Sequence, residues 1–395
     1  MRPDEDMSRL RMRLDECACE FPRLRYPASM NLTTFRERFQ PVFAEFLRDK
    51  CLQNAALAQD PFIERIIHYP ETLAGGEGKR IRPYMAWLMQ QGLKEQKDEG
   101  TKERKGSGDG QDQVMKMLLS LELFHVFALV HDDIMDRGTS RHGVATTHLM
   151  VADALRAEQR TGDLSHVGDA HAILLGDLLF QWSQEAFYAT PGIDPQARER
   201  AAPYFRKMIE EVIVGQMMDV DLTTRSLVSD DFVERKIHLK TSSYTFIRPL
   251  QIGAALAGAS DDVFAWCEQF GTAVGRAFQL QDDLLDLTVP AHGTGKTAFS
   301  DLHERQHTLF TQYILTHGTD AQRAELQSLF GASLTEADRP RVTALFEQSG
   351  AFAYGRKEIN HSLATATHLV KDAPLAEHVG VALNAFIATM ATREA

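Results

Sequence analysis

VMKMLLSLELFHVFALVHDDIMD, residues 114–136, decides how the rest of the chain is read. Residues 114–131 are apolar on nearly every side of a helical projection, which fits a helix in the middle of a bundle rather than one at its surface. The segment then ends in acid, at Asp132, Asp133 and Asp136. FGTAVGRAFQLQDDLLD, residues 270–286, repeats the design: a greasy helix runs into Asp282, Asp283 and Asp286. The stretch between the two is long enough for intervening helices to bring these ends face to face.

Outward from these segments, alanine, leucine, methionine, glutamate and arginine dominate, apolar positions recur every three or four residues, and β-branched alternation is scarce. The pattern predicts an all-α protein, including one helix over 230–257 and another over 301–317. Residues 1–28 read as a weakly ordered extension ending near Pro27, and 29–395 as one domain. KEQKDEGTKERKGSGDGQDQ (94–113) is charged, contains glycine and lacks apolar periodicity, so it reads as a solvated loop inserted between buried helices.

With 395 residues, 44% of them hydrophobic, the chain has material for a large core. A formal charge of −12 and no basic stripe exclude nucleic acid as the main partner. The start, MRPDEDMSRLRMRLDE, lacks the apolar centre of a signal peptide, and its acids count against a transit peptide. Four scattered cysteines do not make a disulfide framework, so a reducing, cytoplasmic setting is expected. No run of about 18 uninterrupted apolar residues occurs, so no stable membrane insertion is expected.

In each acidic set the first and last aspartates are four apart, so Asp132 and Asp136, like Asp282 and Asp286, share one helix face, with Asp133 and Asp283 flanking it. A single such set is as readily a solvated helix end. Two sets, each closing an apolar helix, call for a cation, because crowded carboxylates in a low dielectric repel and are poorly solvated. Oxygen ligands without histidine or cysteine favour Mg2+. Counter-charges for a phosphorylated ligand are present in Gly-Glu-Gly-Lys-Arg-Ile-Arg-Pro (76–83), with Lys79, Arg80 and Arg82 at a helix entrance, and at Arg141, Lys240 with Thr241, and Lys296. GTGKT (293–297) is not a phosphate loop: no strand precedes it, and Pro290 occupies the place of the pattern's first glycine.

Taken together, GKRIRP (78–83), ELFHVFALVHDDIMD (122–136), LLGD (174–177), GQMMD (215–219), KT (240–241) and FQLQDDLLD (278–286) resemble, in order and spacing, the trans-isoprenyl diphosphate synthases of the polyprenyl synthetase family. The resemblance covers about residues 33–390. It implies a single large helical bundle around a central cavity, the isoprenoid synthase fold, and a homodimer. The implied reaction joins isopentenyl diphosphate to an allylic diphosphate. By the same resemblance Asp132, Asp136 and Asp282, assisted by Asp133, Asp283 and Asp286, hold Mg2+, about three ions to a site. Arg141, Lys240, Thr241, Gln279 and Lys296 hold the allylic diphosphate. Gly78, Lys79, Arg82 and His125 hold isopentenyl diphosphate.

Two departures stand out. The family's pair of arginines after the first acidic set is Arg141-His142 here, which leaves the isopentenyl site less reliably cationic, and a family lysine after the second set is Gln306, with Arg305 beside it as a substitute. His131 reads as a hydrogen-bonded core residue. Phe124, Phe127 and Ala128, one turn and more before Asp132, read as the pocket floor that sets product length, in the manner of enzymes making geranylgeranyl or farnesyl diphosphate. Three other readings stay open. A class I terpene cyclase would not need GKRIRP, a metal phosphohydrolase would need histidine ligands, and a non-catalytic subunit would fit His142 and Gln306 better than it fits intact acids.

Overall fold

A computed structural model describes residues 31–75, 78–101, 108–141, 143–226, 228–290 and 298–392. The expected extension at 1–28, His142 and Lys296 lie outside the described residues. The chain runs through α1 (Leu32–Ala58), α2 (Pro61–Gly75), α3 (Ile81–Thr101) and α4 (Gly108–Met135), then a two-stranded hairpin, β1 (Ser140–Arg141) and β2 (Val144–Ala145). There follow α5 (Thr147–Ala157), α6 (Leu164–Ala189), α7 (Pro195–Leu222), α8 (Asp230–Ile237), a π-helix (His238–Ile247), α9 (Arg248–Ala257) and α10 (Asp261–Thr288). The short α11 (Ser300–His303) leads to α12 (Leu309–His317), α13 (Asp320–Leu329), α14 (Arg339–Gln348), α15 (Ala351–Lys371) and α16 (Glu377–Ala391). The all-α expectation holds.

Local signals start these helices. Asn31 caps α1 by accepting from the Thr34 amide at 2.8 Å, and α1 then buries Phe35, Phe39, Phe43, Leu47, Cys51 and Ala55, one residue per turn. Helix α4 has no such stripe because it is covered all round: it packs along α6 and is flanked by α1 and α3. By length and composition residues 112–135 would suffice to cross a membrane, but two thirds of that apolar window is buried inside the bundle, as a central helix should be. Its counterpart α10 packs against the π-helix and α15.

Three expectations need correction. The stretch 94–113 is not a loop throughout, since α3 continues to Thr101 and α4 begins at Gly108. Lysine, glutamate and glutamine are good helix formers, so the helices run on into this stretch although its sequence lacks apolar periodicity. The predicted helix over 301–317 is broken between α11 and α12, where Arg305 takes φ +61, a conformation that ends a helix. The segment 230–257 is helical but not uniform: its middle is a ten-residue π-helix.

That π-helix is wedged between α7 and α10, and two glycines make the room. A Cβ on Gly215 would lie 2.7 Å from the Lys240 amide nitrogen, and one on Gly275 would run into the backbone of Ser242. Because backbone, unlike a flexible side chain, cannot yield, Gly275→Val should lower unfolding free energy by about 3 kcal/mol. A denaturant midpoint unchanged from wild type would contradict this close-packing account.

Candidate active site

The acids stand where two helices stop. At the end of α4 the Asp136 amide donates to the Asp132 carbonyl at 2.8 Å, Arg137 turns to φ +52, and the Gly138 amide closes the helix on the Asp133 carbonyl at 2.9 Å. Asp282, Asp283 and Asp286 occupy the last two turns of α10. Carbonyl ends of helices carry partial negative charge, so both sets sit where carboxylates are least welcome. All six line one cavity of about 290 Å³. The two sets therefore meet, as the sequence reading required.

The middle aspartates are held from behind. Asp133 accepts from Arg141 Nε at 2.8 Å and Nη2 at 2.6 Å, and Asp283 accepts from Gln279 Nε2 at 2.7 Å, while Thr241 Oγ1 donates to Gln279 Oε1 at 2.5 Å. Both are only 4% exposed, so they buttress the wall more than they reach into the cavity. Asp132 is steadied by Gln216 Nε2 at 2.7 Å and faces Lys240 Nζ at 3.6 Å. Asp286 is bound into the wall by the amides of Ser300 and Asp301, both at 3.1 Å, and by Ser300 Oγ at 2.7 Å.

Three further acids, Asp219, Asp301 and Glu304, complete the lining. Nine carboxylates among the described lining residues face three cations, Arg141, Lys236 and Lys240, a deficit that protein charge does not fill. Asp219 meets two of the three cations. Burial works to raise it, but Lys236 at 3.0 Å and Lys240 on its other oxygen outweigh that and hold it at about 2. Burial, then Asp132, pushes Asp136 up to about 7, and burial, then Asp136, pushes Glu304 up to about 8. Burial likewise raises Asp133 against the pull of Arg141, and lifts Asp283 to about 6. An oxygen-only donor set with this unmet charge fits hard divalent cations.

A second, cationic corner forms around Tyr244. Arg82 lies 4.0 Å over its ring, its hydroxyl shares a 3.2 Å hydrogen bond with His125 Nδ1, and Lys79 stands 5.7 Å from the neighbouring Phe278 ring. The buried Arg82 Nε has no acceptor among the described residues, which leaves a donor for an anion. Arg80 does not join this corner. It is buried, bonded to Glu122 at 2.5 Å and to Gln40 at 3.0 Å, and fastens the Gly78–Arg80 turn to the bundle.

Below the first acids Phe124 and Phe127 pack at 5.2 Å, and Phe180 of α6 closes on Phe127 at 5.3 Å. His131 is hydrogen-bonded but half-buried rather than in the core: its Nε2 meets the Ile173 carbonyl at 3.1 Å, and Gly176 of LLGD leaves space for its ring. Sequence reading missed Asp219, Lys236, Glu304, Phe180 and Tyr244. For Lys236 a signal existed, since it lies four residues before Lys240 and so one helical turn away.

Comparisons with known proteins agree with this geometry. Residues 62–348 match the family model for polyprenyl synthetases. The chain is 30% identical over 297 residues to a geranylfarnesyl diphosphate synthase of Natronomonas pharaonis, covering 74% of this chain and 80% of that one. It is 28% identical over 291 residues to a short chain isoprenyl diphosphate synthase of Methanothermobacter thermautotrophicus, covering 74% and 79%. The crystal structure of geranylgeranyl pyrophosphate synthase from Corynebacterium glutamicum, complexed with isoprenyl diphosphate and magnesium, superposes with a TM-score of 0.84 at 27% identity, covering 92% of this chain and all of that one.

The raised carboxyls make a testable link between pH and metal. Asp136 and Glu304 bind protons more tightly in the folded than in the unfolded chain, so their stabilising contribution is present below the ordinary carboxylate range and lost as pH rises through about 7 and about 8. Chelator-treated protein should therefore melt progressively lower between about pH 5 and pH 8, and Mg2+ should raise its melting temperature more at the upper pH. Equal Mg2+ effects at both ends would count against the acids as the binding site.

Proposed function

The chain belongs to the polyprenyl synthetase family and is a prenyltransferase, and on that premise we propose that it condenses isopentenyl diphosphate with an allylic diphosphate, using Mg2+, to give geranylgeranyl or farnesyl diphosphate. The observation that carries this reading is the pairing of an acidic well, built by two remote helix ends, with a separate cationic corner. Two diphosphates need two sites of different character. A cyclase that ionises one substrate has no use for Arg82 and His125 gathered around Tyr244, with Lys79 over Phe278.

Asp132, Asp136 and Asp282 would hold the metal at the cavity face, with Asp133, Asp283 and Asp286 behind them. Bound Mg2+ supplies charge neutralisation for a departing diphosphate. Lys240 and Arg141 orient that diphosphate through charged hydrogen bonds, while Thr241 and Gln279 fix the wall they work from. As the allylic C–O bond breaks, Phe127 and its aromatic neighbours keep water from the cationic carbon. The double bond of isopentenyl diphosphate, held by Lys79, Arg82 and His125, forms the new C–C bond, and the proton lost from it passes to the released diphosphate.

Helices α6 and α7 leave Ile173 (45%), Leu174 (60%), Val214 (48%) and Met217 (65%) exposed. Apolar exposure of this kind supports the homodimer reading, with these faces covered by a second copy. Sedimentation should give twice the chain mass, falling towards monomer for Leu174→Glu with Met217→Glu.

The deciding experiment is incubation of purified protein with Mg2+, isopentenyl diphosphate and each allylic primer in turn, with sizing of the dephosphorylated product. No elongated product from folded protein would favour a non-catalytic subunit, and phosphate release without C–C bond formation a phosphohydrolase. Because Phe127 joins Phe124 and Phe180 in the floor, Phe127→Ala should lengthen the product by at least one isopentenyl unit. An unaltered product length would show that the floor lies elsewhere.

A further inference from the structure

Of the three cations in the acidic well, Lys236 has no role in the reaction as read so far. It is 7% exposed, its ammonium lies 3.0 Å from Asp219 Oδ1, and Lys240 takes the other oxygen of the same carboxylate. A buried lysine with a single carboxylate partner shared with another lysine is not a simple ion pair. Lys240 also faces Asp132 at 3.6 Å, so the two ammonium groups answer to more than one carboxylate, and both line the cavity.

Gln306 lines the same cavity, at the position where the resembling family carries a lysine. Gln306 is 6% exposed and its Oε1 accepts no hydrogen bond, although its carboxamide faces the same well. Arg305 does not replace the missing charge: its backbone is at φ +61, its guanidinium lies 6.0 Å over the Phe330 ring, and it is absent from the described cavity lining.

We propose that Lys236 supplies, from the α8 wall, the positive charge this chain lacks at position 306, acting as a positioning residue that aims Lys240 through Asp219 and adds its own field to the diphosphate site. The relocation changes the device, not only its address. A cation at position 306 would sit on the short segment that joins α11 to α12. Lys236 sits instead on a helix continuous with the π-helix, so its charge and that of Lys240 move as one body. That wall already holds two of the three cations that line the well.

The inference rests on the prenyl-transfer reading for its consequence but not for its test, which needs only Mg2+ and inorganic diphosphate. Calorimetric titration of the full chain with diphosphate in excess Mg2+ should show affinity about tenfold weaker for Lys236→Met, from loss of one nearby charge. Gln306→Lys placed in that background should return it to within about threefold of wild type. A packing defect would not be repaired by charge on a different element, so rescue separates the two roles. Unchanged affinity in folded Lys236→Met, or a double variant as weak as the single one, overturns the proposal. Should Lys236→Met fail to fold, Gln306→Lys in wild type decides: tighter diphosphate binding supports a shared field, and unchanged binding refutes it. Diphosphate affinity that responds as expected, in a protein giving no elongated product, would leave Lys236 in place and remove the proposed reaction instead.

Discussion

Repulsion among carboxylates at two helix ends is the constraint around which this molecule is arranged. Asp132, Asp133 and Asp136 close α4, and Asp282, Asp283 and Asp286 close α10, each at the negative pole of its helix and within one cavity. Among the described lining residues the cations are outnumbered, and burial together with neighbouring carboxylates pushes Asp136 and Glu304 up. The bundle tolerates the cost because both helices are deeply buried along their length, α4 by α6 and α3, α10 by α15 and the π-helix. Apolar burial along the shafts offsets electrostatic strain at the tips, and the strain is what gives the well its affinity for divalent cations.

Much of this was legible in the chain. The apolar shafts, the acids at their ends and the spacing that allows them to meet follow from residue types and periodicity, which is why the all-α fold and the acidic well could be expected. The cationic corner was legible for Lys79, Arg82 and His125 but not for Tyr244, since an aromatic between Ser243 and Thr245 in sequence gives no hint that it will lie beneath Arg82. Arg80 shows the opposite failure. Its neighbours bind outward, while its own left-handed backbone, φ +53, turns it inward onto Glu122. Side chains two residues apart in an irregular turn share no face, so no periodicity rule could separate them.

The π-helix was hidden for a related reason. Its residues, His238–Ile247, have ordinary helical propensity, and the widened turn is imposed from outside by α7 and α10 crowding in at Gly215 and Gly275. Those glycines were visible, one of them inside GQMMD, but what they admit is a neighbouring backbone far away in sequence. Close approach is a tertiary property, and a glycine announces only that some approach is possible.

That element also sets the distance between the two halves of the site. Lys240 faces Asp132 and Asp219 in the acidic well, and Tyr244, one turn later on the same π-helix, lies under Arg82 and bonds to His125 in the cationic corner. An excess of acid close to a guanidinium should draw it into a salt bridge, yet Arg82 stacks on an aromatic face and its Nε has no acceptor among the described residues. The Tyr244 ring is the partition: it takes the Arg82 charge by cation–π contact without neutralising it, so the guanidinium remains available to an anion. With Lys240 and Tyr244 fixed to one backbone, and that backbone pinned between α7 and α10, the acid-lined and cation-lined ends are kept apart at a constant spacing. A reaction between two diphosphate-bearing molecules requires that arrangement, with opposite demands met at either end and a dry, aromatic interval between them.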